Sequence, residues 1–185
     1  MSKTLETERL YLRPFVENDK APFALMNQDP EVMVYFPKTL SPGESDLFAQ
    51  ASNRSFERYG YGLYGLELKK TGSFIGFTGL WWFKHQTPFS PAVEIGWRLA
   101  RPHWGRGYAQ EAARQVLLVA FNQLQLEKVV SYTSIHNQRS IKLMQTLGLH
   151  WAHNFNHPNL AQSDPLCQQV LYQTDRQEWQ TNLLR

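Results

Sequence analysis

The sequence predicts a mixed α/β domain built around one central sheet. Residues 62–99 contain three consecutive strand-like segments separated by turn-forming residues, and residues 92–147 alternate between strand-like and helical segments. Strands joined by short turns pair antiparallel, whereas a strand, helix, strand order requires a parallel pair with a right-handed crossover. We therefore expect a mixed sheet of about six or seven strands, flanked by helices.

The first third of the chain is predicted to be one strand followed by helices. The residues Ser41 to Glu44 form a Ser-x-x-Glu capping box with a proline in the first turn, which indicates the start of a helix. The predicted elements are a strand at 9–15, a helix at 21–26 behind the cap Asn18-Asp19, a helix starting at Asp29-Pro30, and a helix through 47–59.

The next segments supply most of the sheet. Residues 62–68, 73–83 and 92–99 are rich in aromatic and β-branched residues, so they are predicted to be three mostly antiparallel strands. Between Ala109 and Leu124, apolar residues recur at i, i+3, i+4 and i+7, which predicts a helix with one apolar stripe. The remaining predicted elements are a strand at 128–133, a helix at 140–147 ending at the left-handed cap candidate Gly148, and strands at 149–155 and 167–173.

Length and composition limit the class of protein. A chain of 185 residues with 42% hydrophobic residues fits one domain, 1–185, with a sizeable core. Its formal charge of +3 suits an anionic ligand. The basic residues do not form a run, so the charge gives no support to direct nucleic acid binding. Cys167 is the sole cysteine, which excludes an internal disulfide, and the longest apolar run, 116–121, is too short to span a bilayer. We expect a cytoplasmic protein that does not bind membranes.

A glycine turn stands between a predicted strand and the best-defined helix. The segment 97–113 reads W-R-L-A-R-P-H-W-G-R-G-Y-A-Q-E-A-A. Gly105 and Gly107 can take backbone angles closed to other residues, and the first N–H groups of the helix are free to bind an anion such as a phosphate. The same pattern also occurs as an ordinary turn. Gln110 stands where a dinucleotide-binding turn requires glycine or alanine, and no Lys-Ser/Thr follows Gly107 as in a nucleotide-hydrolysing loop.

These residues resemble a known family. The segment E-I-G-W-R-L-A-R-P-H-W-G-R-G-Y-A-Q-E-A is similar to motif A of the GNAT acetyltransferases, and N-Q-R-S-I-K-L-M-Q-T-L-G-L, from Asn137, is similar to motif B. The segments L-E-T-E-R-L-Y-L-R-P-F and D-P-E-V-M-V-Y-F-P resemble the start of the ribosomal-protein-alanine and -serine acetyltransferase branch. The resemblance extends over residues 5–149.

The resemblance implies that acetyl-CoA is the cosubstrate and that it enters a V-shaped gap between strands 92–99 and 128–133. Pantetheine amides would pair with the backbone of Trp97 and Leu99. The pyrophosphate would lie on the N–H groups of Trp104, Gly105, Arg106, Gly107, Tyr108 and Ala109. Trp104 stands where many family members carry Gln or Arg. No metal is implied, and both a monomer and a homodimer are compatible with the sequence.

Two side chains are candidates for catalysis. Strand alternation places Glu94 on one face with Arg98, so Glu94 is either a general base or the partner of Arg98 or another basic side chain in an ion pair. Ser140 resembles the serine that assists thiolate departure in the ribosomal-protein branch, although it is equally an ordinary first-turn serine. Met144 occupies the place of the tyrosine that serves as acid in many relatives. Asn137 either donates its amide to pantetheine or caps the helix.

The acceptor stays open at this point. The resemblance favours a primary amine, first the N-terminal amino group of a protein such as a ribosomal protein. An aminoglycoside, a polyamine or another small amine is the alternative, and Met144 also allows a non-catalytic acyl-CoA-binding module. We expect no metal site at His150, His153 and His157, because residues 150 and 153 of a regular strand face opposite ways.

Overall fold

The described chain forms a mixed sheet with helices on both faces. The structure is a computed structural model that describes residues 4–84, 87 and 89–183. Within these residues the strands are β1 (Leu5–Glu6), β2 (Leu10–Arg13), β3 (Leu63–Leu68), β4 (Phe74–Phe83), β5 (Ala92–Leu99), β6 (Lys128–Ser134), β7 (His150–Asn156) and β8 (Gln168–Asp175). The α-helices are α1 (Lys20–Gln28), α2 (Pro42–Tyr59), α3 (Tyr108–Leu118), α4 (Gln138–Thr146) and α5 (Arg176–Leu183). None of the described helices is long and apolar enough to cross a membrane.

The sheet has the order β1-β2-β3-β4-β5-β6-β8-β7. Every neighbouring pair is antiparallel except β5 and β6, which are parallel and are joined by the crossover through α3. The predicted mixed sheet with one parallel pair is thus confirmed. The two-residue strand β1 and the final helix α5 were not predicted, and β1 brings the described strands to eight.

Two apolar layers cover the two faces of the sheet. On one face, which we call the α1/α2 face, Phe23 and Met26 of α1 pack with Phe77 of β4. On the opposite face, which we call the α3 face, the stripe of α3 packs against Leu80 and Ile95. Alternation along β4 and β5 then places the pairs Phe77/Arg98 and Trp81/Glu94 on the α1/α2 face.

The prediction of a helix starting at Asp29-Pro30 is wrong. The N–H of Met33 donates to the carbonyl of Asp29 at 3.0 Å, but residues 30–35 form turns and no helix follows. Pro37 explains the stop, because proline lacks an N–H donor and its ring clashes with the preceding turn of a helix. The chain between α1 and α2 is therefore an irregular segment.

The long helix predicted at 109–124 changes its winding before it ends. After Leu118 the chain continues as a π-helical turn, Val119–Gln123, and Gln125 takes a positive φ of 56°. The apolar stripe continues through this turn, so Phe121 is buried against the ring of Trp179 at 5.3 Å. Arg176 donates to the carbonyl oxygen of Leu126 at 3.2 Å, which ties the end of the turn to α5.

The expected orientation of the histidines on β7 is also wrong. Between Trp151 and His153 the register shifts by one residue, so His150 pairs with Gln173 while His153 pairs with Leu171. Because Gln173 and Leu171 lie on one face of β8, this bulge brings both histidines to the same face. No group of three or more His, Cys, Asp or Glu side chains that could hold a metal ion occurs among the described residues.

Candidate active site

A cleft opens between the two parallel strands. β5 and β6 share a single register pair, Glu94 with Val130. β4 pairs with all of β5, from Ala92 to Leu99, and β8 pairs with all of β6, so each parallel strand is held by its outer neighbour. The carboxyl-terminal halves of β5 and β6 therefore separate, and Glu94 lies at the vertex of the resulting V.

The backbone of β5 presents polar groups to this cleft. The N–H of Ala100 bonds to Ile75 on β4 at 2.9 Å, so alternation directs the N–H and carbonyl groups of Trp97 and Leu99 away from β4. The carbonyl of Leu99 already accepts the indole N–H of Trp104 at 2.7 Å. The N–H and carbonyl of Trp97 and the N–H of Leu99 are thus the groups that can pair with pantetheine.

The glycine turn has the predicted backbone angles, but the predicted donor at Trp104 is not free, because its N–H donates to the carbonyl of Arg101 at 3.1 Å. Gly105 and Gly107 take φ values of +71° and +78°, which side-chain-bearing residues adopt rarely. The first intrahelical bond of α3 runs from the N–H of Glu111 to the carbonyl of Gly107, so the preceding N–H groups have no partner within the helix. A Cβ added at Gly105 would meet no atom within 4 Å. The turn therefore offers free donors beside open space, which suits a diphosphate.

The segment before β2 braces this turn from outside. Glu111 accepts hydrogen bonds from the Thr7 hydroxyl at 2.6 Å and from the Arg9 N–H at 2.8 Å. The guanidinium of Arg9 forms an ion pair with Glu111 at 2.6 Å, donates to the carbonyl of Arg106 at 2.9 Å, and lies 4.5 Å from the ring centre of Tyr108. These contacts hold the pKa of Glu111 below its usual value, although its partial burial works in the opposite direction.

Arg9 was not recognised as a site residue from the sequence. Its Nη2 would lie 3.3 Å from a Cβ added at Gly107, so the cation lies beside the proposed diphosphate site. The segment E-T-E-R-L was noted only as part of the resemblance. Because Arg9 and Arg106 are 97 positions apart, the sequence pattern around the turn contained no sign of their contact.

Trp104 connects the two sides of the cleft. Its indole bonds to β5 through Leu99, and the guanidinium of Arg139 on α4 lies 4.6 Å from its ring centre. Such a cation–π contact is worth about 0.5–1 kcal/mol at an exposed site. The tryptophan that replaces Gln or Arg at this position thus has a structural function between β5 and α4.

Glu94 has an unusual environment for a carboxylate. Its side chain keeps a partly exposed surface, yet the surrounding protein removes enough water to raise its pKa to about 8. None of the ion pairs formed by the described residues includes Glu94. The ion pair with Arg98 is therefore absent from the described chain, and the role of Glu94 as base stays a prediction.

Tyr132 of β6 is a neighbour that sequence reasoning missed. Burial raises the pKa of its phenol, and the charge of Glu94 raises it further. Tyr132 lies two residues beyond Val130, the partner of Glu94 in the ladder. A protonated hydroxyl therefore lies close to the vertex of the cleft.

Asn137 and Ser140 lie at the start of α4. The side-chain oxygen of Asn137 accepts the backbone N–H of Ser140 at 3.2 Å, which caps the helix, and its amide nitrogen donates to the hydroxyl of Thr133 at 2.9 Å. The capping interpretation of Asn137 is thus observed, and one amide hydrogen stays available for pantetheine. Met144 is fully buried, so the position of the usual tyrosine belongs to the core.

Arg98 anchors the opposite wall of the cleft. Arg98 is 8% exposed, and its guanidinium donates to the side-chain oxygen of Asn27 at 2.7 Å and lies 4.0 Å from the ring centre of Phe36. Burial lowers its pKa to about 10, and its Nε has no hydrogen-bond partner in the described structure. Asn27 in turn donates to Ser45 at 3.0 Å, so β5, the irregular segment and α2 are joined around one buried cation.

A groove lies beside Glu94 on the side of α2. It has a volume of about 670 Å³ and is formed by the carboxyl-terminal half of α2 and the end of β4. Trp81, which forms one wall, is directly opposite Glu94 in the β4–β5 ladder. We call it the α2–β4 groove; its lining residues are Ala51, Arg54, Ser55, Glu57, Arg58, Tyr59, Trp81, Trp82 and Lys84.

The splayed strands can hold a linear thioester, and the start of the following helix can hold its diphosphate. This is the binding mode of acyl-CoA-dependent transferases that the resemblance implied. The chain belongs to the GNAT acetyltransferases: the family model described as "Acetyltransferase (GNAT) domain" matches residues 9–150. It is thus an acetyl-CoA-dependent N-acetyltransferase that acts on an amine.

The chain is also similar to individual proteins, in sequence or in fold. The uncharacterized protein YkkB of Bacillus subtilis is 35% identical over 149 residues, which cover 80% of this chain and 86% of YkkB. The "FsC-acetyl coenzyme A-N(2)-transacetylase" of Aspergillus fumigatus is 29% identical over 95% of this chain and 77% of its own length. The ribosomal-protein-S5-alanine acetyltransferase of Vibrio fischeri has the same fold, with a TM-score of 0.77 over 96% of this chain and 99% of its own, at 16% identity.

Proposed function

We propose that the protein transfers the acetyl group of acetyl-CoA directly to the N-terminal amino group of a protein, such as a ribosomal protein, with residues 1–185 acting as one domain and Glu94 as the base. The observation that carries this proposal is the position of Glu94. It lies at the vertex of the cleft, and its pKa of about 8 suits a group that takes a proton near neutral pH.

The proposed reaction needs only groups of this chain beside the two substrates. Acetyl-CoA supplies an activated acyl group. Glu94 takes a proton from the acceptor ammonium, and the free amine attacks the thioester carbonyl while the N–H of Trp97 stabilises the developing oxyanion. When the carbon–sulfur bond breaks, the hydroxyl of Ser140 gives a proton to the departing thiolate and takes up the proton that the nitrogen of the new amide loses. Glu94 then releases its proton to solvent, so both side chains return to their starting states.

The α2–β4 groove supports a peptide as acceptor. A flexible protein N-terminus requires an open groove next to the base, whereas an aminoglycoside or polyamine would favour a closed acidic pocket. The groove beside Glu94 contains three basic side chains, Arg54, Arg58 and Lys84, against the single acid Glu57. A small-molecule amine stays the alternative acceptor.

The proposal is tested by measuring thiol release from acetyl-CoA with three sets of acceptors: peptides with free N-termini, polyamines and aminoglycosides. Faster turnover with free peptides than with the same peptides blocked at the N-terminus supports a protein acceptor. A preference for a polyamine or an aminoglycoside would show that the acceptor is a small molecule and not a protein N-terminus. Acetyl-CoA binding without turnover of any amine would favour a non-catalytic acyl-CoA-binding module.

A further inference from the structure

We infer that the α2–β4 groove binds the acceptor chain beyond its amine and selects acceptors with carboxylate side chains near the N-terminus. The inference rests on the proposed function, because it assumes a peptide amine at Glu94. It goes further by giving the groove a substrate and by naming the charge of that substrate.

The groove continues directly from the site of the reaction. Trp81 and Glu94 are opposite residues of an antiparallel ladder on the same face, which places their Cα atoms about 5.5 Å apart. The ring of Phe48 stacks on Trp81 at 6.4 Å with an angle of 6° between the planes, so the wall between base and groove is fixed. Trp81 is therefore the lining residue through which the groove adjoins Glu94, and an acceptor chain whose amine is at Glu94 can contact it.

A buried hydroxyl in the groove has no partner. Ser55 is 6% exposed and lines the groove, and its Oγ makes no hydrogen bond within the described structure. Buried polar atoms are rarely left unpaired, and such an exception points to a group that is not part of the chain. The main-chain N–H or carbonyl of a bound peptide is a suitable partner for this hydroxyl.

The charges at the groove are not balanced. Three basic residues and one acidic residue give a net charge of +2, since 3 − 1 = 2. Arg54 and Arg58 are exposed and one helical turn apart, where like charges repel each other. Neither arginine forms an ion pair with another described residue. Carboxylates of an acceptor would relieve this repulsion, whereas a polyamine would add to it.

Aromatic rings that pack with the α3-face core supply another part of the groove, which is therefore formed from both faces of β4 beyond its last pair with β3, Leu63–Gly79. Tyr59 and Trp82 lie 6.3 Å apart between ring centres, and the guanidinium of Arg58 lies 5.2 Å from the ring centre of Tyr59. This arrangement combines a flat apolar surface with cations at its edge. It suits a peptide that alternates apolar and acidic side chains.

The experiment compares three hexapeptides that share the sequence of their first two residues. Residues three to five are acidic in the first peptide, the matching amides in the second, and lysine in the third. We expect kcat/KM to be about tenfold higher for the acidic peptide than for the neutral one, and lowest for the lysine peptide. The double substitution Arg54→Glu with Arg58→Glu should reverse this order.

A second pair of substitutions controls for net charge. Lys70→Glu with Arg114→Glu changes the formal charge of the protein by the same amount, and both residues are exposed and outside the groove. This control should keep the preference for the acidic peptide. Ser55→Ala should instead raise KM to a similar extent for all three peptides, because its proposed partner belongs to the main chain.

The outcomes separate the two proposals. Turnover of all three peptides at equal kcat/KM, or a preference that survives the reversal at Arg54 and Arg58, overturns the acidic selection and leaves the peptide acceptor in place. If polyamines or aminoglycosides react and no peptide does, the peptide acceptor is wrong and the inference is wrong with it.

Discussion

Glu94 couples the chemistry of the cleft to the stability of the fold. Glutamate in an unfolded chain titrates near pH 4.3, whereas burial raises the pKa of Glu94 to about 8 in the folded state. The folded protein therefore holds this proton more tightly than the unfolded chain, so the contribution of Glu94 to stability falls as pH rises from about 4.3 to about 8. At neutral pH this carboxylate disfavours folding, which agrees with a role in catalysis.

The first prediction concerns Glu94→Gln, which keeps the size of the side chain but cannot accept a proton. We expect a large fall in kcat with unchanged acetyl-CoA binding, partial recovery at high pH where the free amine is populated, and loss of the rise in activity around pH 8. The melting temperature should equal or exceed that of the wild type, with a gain that grows between pH 5 and pH 8. A less stable variant with an unaltered pH profile would end the case for Glu94 as base.

The second prediction concerns Ser140→Ala. If the hydroxyl assists the departing thiolate, kcat should fall roughly 10- to 1,000-fold while acetyl-CoA affinity stays nearly constant. The cap of α4 survives, because the bond from Asn137 goes to the backbone N–H of residue 140. Thr146→Ala is a matched control, since that hydroxyl bonds only to the carbonyl of Lys142 in the same helix. Full activity of Ser140→Ala would show that the hydroxyl of Ser140 does not assist the departing thiolate. Tyr132 would then be the next candidate for this role, and Tyr132→Phe tests it.

Single residues were predictable from the sequence only where local geometry decides their role. The cap at Asn137 depends on neighbours three positions away, so both of its interpretations could be stated in advance. The partner of Arg98 on β5 could not be foreseen, because Asn27 lies 71 positions away on α1. For the same reason, the sequence alone allowed two roles for Glu94, as a general base or as the ion-pair partner of Arg98. In the structure, Arg98 contacts Asn27 of α1 instead.

At the scale of elements, the turn between β5 and α3 depends on two contributions of different origin. The positive φ angles of Gly105 and Gly107 are local requirements, which is why the sequence predicted them. The brace from Arg9 is a tertiary contact, and no local pattern indicates it. The π-helical turn and the bulge in β7 were missed for the same reason, since both accommodate packing between distant segments.

The third prediction tests whether the contacts of Arg9 with the glycine turn contribute to diphosphate binding. Arg9→Gln removes a cation beside the turn, and Gly107→Asp adds a negative charge and a Cβ at a positive φ. Both should weaken acetyl-CoA binding, the second by at least about tenfold, or about 1.4 kcal/mol. S-acetylpantetheine lacks the diphosphate, so its kcat/KM should change little in either variant. Lys69→Gln, which removes the ion pair with Glu6 and the contact of the Lys69 ammonium with the ring of Tyr11, is the control.

Titration calorimetry measures the affinities, and the same preparations give kcat/KM for both donors. An equal loss for acetyl-CoA and S-acetylpantetheine in Arg9→Gln would show that Arg9 supports the fold rather than the diphosphate site. Unchanged acetyl-CoA affinity in a folded Gly107→Asp variant would remove the cofactor site from this turn.

At the scale of the whole molecule, the weakest connection in the sheet coincides with the cleft. Period-two patterns located seven strands, and the strand, helix, strand order predicted the parallel pair. The insertion of β8 between β6 and β7 was not predicted, because a pattern of apolar residues does not show which edge a strand joins. With one register pair between β5 and β6, the two halves of the sheet depend on α3, α4 and the Trp104–Arg139 contact around the cleft.

The last prediction follows from the limited pairing between β5 and β6. A donor that pairs with β5 and lies on the start of α3 binds only the folded chain, so it should stabilise the protein by mass action. At a concentration of about 100 Kd the gain is about 2.7 kcal/mol, and for a protein of this size each kcal/mol raises the melting temperature by roughly 2–4 °C. Acetyl-CoA should therefore raise Tm by roughly 5–11 °C in a thermal shift assay. The same concentration of S-acetylpantetheine should give a smaller shift, because the diphosphate contacts are missing, and Gly107→Asp should make the two shifts alike. If Gly107→Asp keeps the full difference between the two donors, the diphosphate does not bind at the start of α3, and the cleft must hold acetyl-CoA in another orientation.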